Sequence, residues 1–152
     1  MTNYSLLFVA SNTYFKLLHI CLKSVCIACD MEKIKKIFIA DLGLNATNKH
    51  ILYSLNKKIK IIDTNVLIPY PNEIHSKNWI DAVSQKTQIL NTLIKNNNVP
   101  IIMLDSDMII IEDFSDMINS IYDMQICERS NSLTRPDGLV VNHIASFVAV
   151  NT

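Results

Sequence analysis

The segment IIMLDSDMIII, residues 101–111, places two carboxylates inside an apolar run and decides how the rest of the chain is interpreted. The residues from Pro100 to Leu104 predict a buried strand, and Asp105 and Asp107 follow it with one residue between them. Side chains at i and i+2 of a strand share a face, so the two carboxylates would project together if the strand persists. Two carboxylates a few ångströms apart would repel each other. A divalent cation removes the conflict, because Mg²⁺ and Mn²⁺ prefer oxygen ligands.

The alternative is that both acids lie on a solvated loop. The sequence MIII directly after the pair returns to hydrophobic residues and argues for core-type surroundings. The location also favours a ligand site, because open α/β sheets bind ligands at the carboxyl ends of their strands. A short DxD pair is common by chance, so the motif needs support from the rest of the chain.

Composition indicates a globular protein. The chain has 152 residues, of which 49% are hydrophobic and 18% charged, and its net charge is zero. These values predict one folded domain over residues 1–152 and give no basic field for nucleic acid. Only two glycines occur, Gly43 and Gly138, so a glycine-rich phosphate loop cannot be written.

Strand and helix patterns alternate along the chain, which predicts an α/β fold with a mostly parallel sheet and helices on both faces. The predicted strands are 5–10, 36–40, 60–63, 100–104, 124–127 and 146–150. The predicted helices are 12–29, 45–56 capped by Asn45, 79–97, and one from Asp113 to about residue 122. A loop with Pro69 and Pro71 follows the third strand, and residues 128–142 are also predicted to be a loop. An exposed apolar edge at 145–150 would favour pairing with another chain, so a homo-oligomer is kept open.

Cys26 and Cys29 form a CxxC pair, which can indicate zinc binding or redox chemistry. The pair lies on an apolar helical stripe, and no second CxxC or paired histidine is near it in the sequence. We therefore interpret both residues as buried thiols that act as small hydrophobic side chains.

Lys86 interrupts an apolar helix face. In the helix 79–97 that face runs through Trp79, Val83, Leu90 and Leu93, and Lys86 lies on the same stripe. An unpaired buried ammonium group would be very costly. The lysine should therefore either extend its head group to water or meet an anion, such as an acid at the strand end or a phosphate.

The first strand ends in the polar turn ASNTYF, residues 10–15. Its hydroxyl and amide groups lie at the carboxyl end of a strand and next to a helix N-terminus, where anions bind well. Tyr14 could stack on a base. The alternative is an ordinary polar helix cap with Tyr14 packed as an aromatic residue.

The combination of these pieces resembles the GT-A nucleotide-sugar glycosyltransferases. The similarity is greatest to the family-eight galactosyl- and glucosyltransferases, which include the glycogenin group. It is carried by FVASNTYFKLLHICLKSV, IADLGL, Lys86 and LDSDMII, and it covers roughly residues 5–122. The resemblance implies a Rossmann-like GT-A domain, here the N-terminal donor-binding portion. A later histidine ligand and the acceptor-binding region would come from sequence beyond this end.

The resemblance also implies roles for individual residues. Ala10, Ser11, Asn12 and Tyr14 fall where the family holds uracil and ribose. Lys86 falls at the basic position that contacts the donor or the acidic motif. Asp105 and Asp107 correspond to the pair that holds Mn²⁺ or Mg²⁺ on the diphosphate, and Ser106 lies between them. The implied reaction moves a sugar from a UDP-sugar to a hydroxyl of a glycan or another acceptor, with retention of configuration.

Two other functions compete with this interpretation. One is a truncated or degenerate module that binds nucleotide-sugar without turnover. The other is an aspartyl-nucleophile phosphatase, but that chemistry needs DxD on the first strand with a following threonine, whereas here Met108 follows the pair on the fourth strand.

The apolar run 17–29 is short for a membrane span and contains Lys23 and His19. No basic residue precedes it at positions 1–4, so a secretory signal is not predicted. We expect a cytoplasmic protein, with peripheral association at the inner membrane as the alternative.

Overall fold

The computed structural model describes residues 3–64, 77–118, 121–134 and 140–151. The predicted loop with Pro69 and Pro71 lies outside the described residues. The side chains of Trp79 and Val83 also lie outside them, so only the later part of the predicted apolar face of that helix can be compared.

The described part of the chain contains six strands, three α-helices and one 3₁₀ turn. The strands are β1 (Tyr4–Ala10), β2 (Ile34–Asp41), β3 (Ile59–Asp63), β4 (Ile101–Leu104), β5 (Met124–Thr134) and β6 (Val140–Val150). The helices are α1 (Phe15–Ala28), α2 (Ala46–Leu55) and α3 (Lys77–Asn96), and the 3₁₀ turn is Ser115–Met117. Asn45 caps α2 as predicted, because its side chain accepts a hydrogen bond from the Asn48 amide.

All six strands form one sheet in the order β3-β2-β1-β4-β6-β5. The pairs β3–β2, β2–β1 and β1–β4 are parallel, whereas β6 is antiparallel to both β4 and β5. The prediction of a mostly parallel α/β sheet is therefore confirmed. The chain leaves β1 toward β2 on one side and later returns to β4 on the other, so the strand order reverses between β1 and β4.

Helices cover both faces of the sheet, and alternate residues of β1 therefore pack in two separate cores. One core packs Leu6 and Phe8 against α1 and α2, and the other packs Leu7 and Val9 against α3. Full burial of each such large apolar side chain contributes about 1.5–3 kcal/mol. The continuous apolar sequence of β1 follows from this, since neither face meets water.

The C-terminal strands differ from the prediction. Residues 128–134 extend β5 and residues 140–145 extend β6, so most of the predicted loop 128–142 is a strand pair. The segment 145–150 is not a sheet edge either, because β6 lies between β4 and β5. Its apolar sequence reflects burial on both faces, because Phe147 and Ala149 pack in one core and Val148 and Val150 in the other. The expected edge for association with another chain is wrong.

The predicted helix from Asp113 to residue 122 is also wrong. The Asp113 carboxylate accepts a hydrogen bond from the Ser115 amide, as an N-terminal cap would, but only one 3₁₀ turn follows. The same carboxylate accepts a hydrogen bond from the Asp30 amide and thereby ties the segment to the turn after α1. Phe114 and Ile118 pack against the core, but Met117 and Ile121 are 61% and 83% exposed. The apolar residues of the described part of this segment therefore do not form one buried face that would support a longer helix.

Candidate functional site

The candidate site lies at the carboxyl ends of β1 and β4. The polar turn after β1 and the acidic pair after β4 are adjacent, because these two parallel strands are direct neighbours in the sheet. The strand order reverses at this point, and such reversals create the crevice in which open α/β sheets bind ligands. The predicted position of the site at this edge therefore agrees with the topology.

The acidic pair lies in a turn and not in a strand. β4 ends at Leu104, and Ser106 and Asp107 form a turn directly after it. The two carboxylates were expected to share a face only if the strand continued through them. Because it ends before Asp105, the conformation of the turn sets the directions of both side chains. Asp105 is half-buried and Asp107 is exposed.

The hydrophobic residues after the pair are only partly core. Met108 and Ile110 pack against the core that contains α1. Ile109 and Ile111 are 68% and 87% exposed. The expectation of core-type sequence around the acids is therefore met only by alternate residues, because this irregular segment packs Met108 and Ile110 on the core and exposes Ile109 and Ile111.

Lys86 contacts an acid at the strand end. Of the two alternatives predicted for its head group, water or an anion, the structure shows the anion. Its Nζ atom donates a hydrogen bond of 2.6 Å to Oδ1 of Asp105. The side chains are 30% and 28% exposed, so water still reaches the pair. A pair of this kind stabilises the fold by at most about 1 kcal/mol. Its chief effect is to place one positive charge beside the acidic turn.

Three hydrogen bonds hold the acidic turn on the rest of the domain. The Ser106 hydroxyl donates to the Val9 carbonyl at 2.8 Å. The Ser24 hydroxyl accepts from the Ile110 amide at 2.9 Å, and the Cys21 thiol lies 3.9 Å from the Asp105 carbonyl as a weak donor. Sequence analysis did not identify Ser24 or Cys21 as supports, because a helical serine or cysteine gives no local sign of a partner 84 or 86 residues away.

The polar turn after β1 is fixed against α2. Asn12 is exposed, and its Oδ1 atom accepts hydrogen bonds from Asn48 Nδ2 at 2.6 Å and from the Asn45 amide at 3.3 Å. Helix α1 begins at Phe15, three residues later than predicted, because residues 12–14 form a turn. The helix has no side-chain cap and no acidic residue in its first turn, so its positive end stays uncompensated.

The remaining predicted donor-binding residues of this turn differ in accessibility. Ala10 is buried at the end of β1, Ser11 is half-buried, and Tyr14 packs partly against the core beside α1. The carbonyl of Ala10 accepts a hydrogen bond from the Leu42 amide, which links this turn to the DLG turn after β2.

Asp41 in the DLG turn is a buried carboxylate with a full set of partners. Its Oδ1 atom accepts hydrogen bonds from the amides of Gly43 and Leu44, and Oδ2 pairs with Lys49. Burial alone would raise the pKa of Asp41, but the Lys49 contact and the two amide hydrogen bonds outweigh it and lower the pKa. Gly43 has φ 115°, a left-handed conformation that favours glycine. The turn is a rigid support beside the candidate site.

Cys21, Cys26 and Cys29 are free thiols in structural positions. Cys21 and Cys29 are buried and Cys26 is half-buried. Burial is the main cause that raises the pKa of Cys21 and of Cys29 to about 11. Thiols with such a high pKa are poor nucleophiles and poor metal ligands, which agrees with the interpretation of the CxxC pair as hydrophobic filling.

Asp105 and Asp107 are the residues that fit a divalent cation. Both offer carboxylate oxygens at the sheet edge, and within the described residues no hydrogen bond or ion pair engages the Asp107 carboxylate. The described part of the chain holds no group of three or more His, Cys, Asp or Glu side chains that could bind a metal. Mg²⁺ typically takes one or two protein carboxylates together with substrate phosphates, so these are the two residues that could hold it.

Solved structures of glycosyltransferases share this fold. The bifunctional glycosyltransferase WbbM superposes with a TM-score of 0.69 over 99% of this chain at 13% identity. The galactosyltransferase LgtC, solved with donor and acceptor sugar analogs, gives 0.70 over 97% at 17% identity. Mouse xyloside xylosyltransferase 1 gives 0.57 over 99% at 11% identity. The chain has the GT-A glycosyltransferase fold, and identities this low establish the fold alone.

The chain spans only part of these enzymes, namely 31% of WbbM, 57% of LgtC and 67% of the xylosyltransferase. No protein-family model and no curated protein sequence matches it. Among the helices of the described residues, none has the length and apolar character needed to cross a membrane.

Proposed function

We propose that this chain is the donor-binding part of a metal-dependent glycosyltransferase, which moves a sugar from a UDP-sugar to an acceptor hydroxyl. The observation that carries the proposal is the meeting of Lys86 with Asp105 beside the polar turn of β1, at the strand reversal of a GT-A fold. An ammonium group, two carboxylates and a set of hydrogen-bonding groups together suit a nucleoside diphosphate with its metal ion.

In this proposal the carboxylates of Asp105 and Asp107 hold Mn²⁺ or Mg²⁺ against the diphosphate. When bound, the ion acts as a Lewis acid that offsets the negative charge developing on the departing diphosphate. The Lys86 ammonium adds positive charge on the same side and is already directed at the site before the donor arrives. Because Lys86 neutralises Asp105 in the free protein, it also keeps the two carboxylates from repelling each other without a ligand.

The polar turn of β1 would receive the nucleoside in the same proposal. Asn12 is exposed there, and its Oδ1 atom is occupied by Asn48 and by the Asn45 amide. Its Nδ2 group is the part that can donate to a uracil or ribose oxygen. Tyr14 presents an aromatic ring that is partly buried next to Phe15, and a partly fixed ring is suited to stacking.

Calorimetry with UDP, in the presence and absence of Mn²⁺, tests the proposal. We expect binding that requires the metal, and loss of that binding in Asp107→Asn. Asp123→Asn is the matched control, because Asp123 is equally exposed and lies outside the site. Binding of UDP that is equally strong without metal, or that survives Asp107→Asn, contradicts the proposal.

A binding module without turnover is the second candidate function. It is favoured by the lack of a third metal-ligating side chain within the described residues. Release of UDP from UDP-glucose or UDP-galactose separates the two candidates. An enzyme releases UDP at a rate that depends on Mn²⁺, whereas a binding module binds the donor and leaves it intact.

A further inference from the structure

The hydroxyl of Ser106 is directed into the protein, although both neighbours of this residue offer carboxylates to the proposed site. Ser106 is 6% exposed, and its Oγ atom donates a 2.8 Å hydrogen bond to the carbonyl of Val9. Because this hydroxyl uses its hydrogen for the bond to β1 and is buried, it does not face a ligand. Its effect on the site must therefore pass through the backbone that it holds.

This hydrogen bond replaces one that the sheet no longer provides. Strands β1 and β4 pair from Ser5 with Ile101 to Leu7 with Met103. The Ser5 amide bonds to the Pro100 carbonyl on the β4 side, and alternate residues of a strand face the same neighbour, so the Val9 carbonyl also faces β4. Continuing the register would place Asp105 opposite Val9, but β4 has ended there. The Ser106 hydroxyl supplies the missing donor.

The contact fixes the acidic turn relative to the first loop. Val9 directly precedes Ala10, where the polar turn begins, and Ser106 lies between the two carboxylates in the chain. The other supports of the turn, Ser24 and Cys21, both come from α1. Within the described residues, Ser106 supplies the side-chain hydrogen bond that joins the acidic turn to β1.

We propose that Ser106 is a positioning residue, whose hydrogen bond to Val9 sets the relation between the acidic pair and the nucleoside-binding turn. The inference rests on the proposed function. Ser106→Ala is expected to weaken Mn²⁺-dependent UDP binding about tenfold or more, which is the effect typical of residues that support metal ligands without touching the metal. Ser106→Thr keeps a hydroxyl at the same position and is expected to restore most of the affinity.

Two controls separate positioning from general loss of stability. Ser5→Ala removes a buried hydroxyl from β1, the strand that contains Val9. Among the described residues that hydroxyl has no hydrogen-bond partner, so UDP binding should stay unchanged. Ile59→Val weakens the buried core of β3, far along the sheet from the site, and lowers the melting temperature without touching the acidic turn. Titration calorimetry with Mn²⁺ and UDP, together with thermal unfolding, is measured for every variant.

Weakened metal-dependent binding in Ser106→Ala, with restoration in Ser106→Thr and wild-type affinity in both controls, supports the inference. Wild-type affinity in Ser106→Ala overturns it and leaves the proposed function standing. An affinity loss in Ile59→Val as large as that in Ser106→Ala also overturns it, since stability would then explain both. If the wild-type chain shows no Mn²⁺-dependent UDP binding, the proposed function fails and this inference fails with it.

Discussion

The ammonium group of Lys86 lies 2.6 Å from Oδ1 of Asp105, a residue 19 positions later in the chain. Helix α3 and strand β4 are consecutive elements, so the helix delivers its lysine to the end of the strand that follows it. Because Lys86 is paired with Asp105, the apolar face of α3 carries no unpaired ammonium charge at this position.

Replacement of Lys86 by alanine should slow the reaction more than it weakens donor binding. The lysine charge is most useful when negative charge develops on the diphosphate, so UDP release from a UDP-sugar should fall about a hundredfold. Steady-state UDP release gives kcat and KM separately. Lys95→Ala is the matched control on the same helix, because Lys95 is exposed in its last turn. Unchanged kcat in Lys86→Ala would place the lysine outside the reaction.

Replacement of Asn12 by alanine should loosen the polar turn of β1 and weaken UDP binding several-fold. The alanine removes the Oδ1 atom that accepts from Asn48 and from the Asn45 amide, and each such hydrogen bond contributes about 1 kcal/mol. Asn48→Ala removes the side-chain donor to Oδ1 and leaves the Nδ2 group of Asn12 in place. Calorimetry with UDP and Mn²⁺ on both variants separates loop anchoring from direct contact. Wild-type affinity in Asn48→Ala, together with a loss in Asn12→Ala, would show that Nδ2, and not this anchoring bond, matters for binding.

Substitution of Asp41 by asparagine should destabilise the fold by about 2 kcal/mol at neutral pH, because hydrogen bonds to a charged acceptor are the stronger kind. The pKa of Asp41 is lowered from its ordinary value of 3.8. The stabilisation is therefore fully present above pH 3.8 and is lost as the pH falls through the lower, folded-state pKa. Urea unfolding at a series of pH values should show the wild type losing its advantage over Asp41→Asn in this acidic window.

Glu32→Gln is the control for that series, because Glu32 is exposed and lies in another turn. Its stability should follow the wild type at every pH. A constant difference between wild type and Asp41→Asn from neutral to strongly acidic pH would exclude the ion pair as its cause.

The native chain should protect Cys21 and Cys29 from alkylation. Burial raises the pKa of both thiols to about 11, so the reactive thiolate is scarce at pH 8. Iodoacetamide labelling followed by peptide mapping should find both residues unmodified in buffer and modified in urea. Rapid labelling of Cys29 in the native chain, or stoichiometric zinc binding by the CxxC pair, would show that the thiols have a chemical role.

Local patterns predicted the parallel half of the sheet well. Strand β1 and residues 37–40 of β2 are buried and carry continuous apolar runs, and α1 and α2 follow these strands at the expected places. The position of Lys86 on an apolar stripe predicted that its ammonium group would reach either water or an anion, and the structure shows the anion to be Asp105. These inferences succeeded because each depends on neighbours within one helix or one strand.

The C-terminal half was harder to predict because its pairing is not local. A polar stretch such as 128–134 becomes a strand because β6 supplies its backbone hydrogen bonds, and no side-chain pattern records that partner. The helix predicted after Asp113 had a plausible cap, but of its apolar residues only Phe114 and Ile118 pack on the core. Packing decided the outcome in both cases, against local preference.

The sequence by itself determined the alternating α/β architecture, the position of the acidic pair and the need of Lys86 for either water or an anion, because apolar periodicity and the cost of a buried charge are properties of short segments. Only the tertiary structure decided that β6 lies between β4 and β5, and that the Ser106 hydroxyl reaches the Val9 carbonyl across 97 residues. Contacts at that separation depend on the order in which strands pair, and many strand orders are compatible with the same pattern of hydrophobic residues.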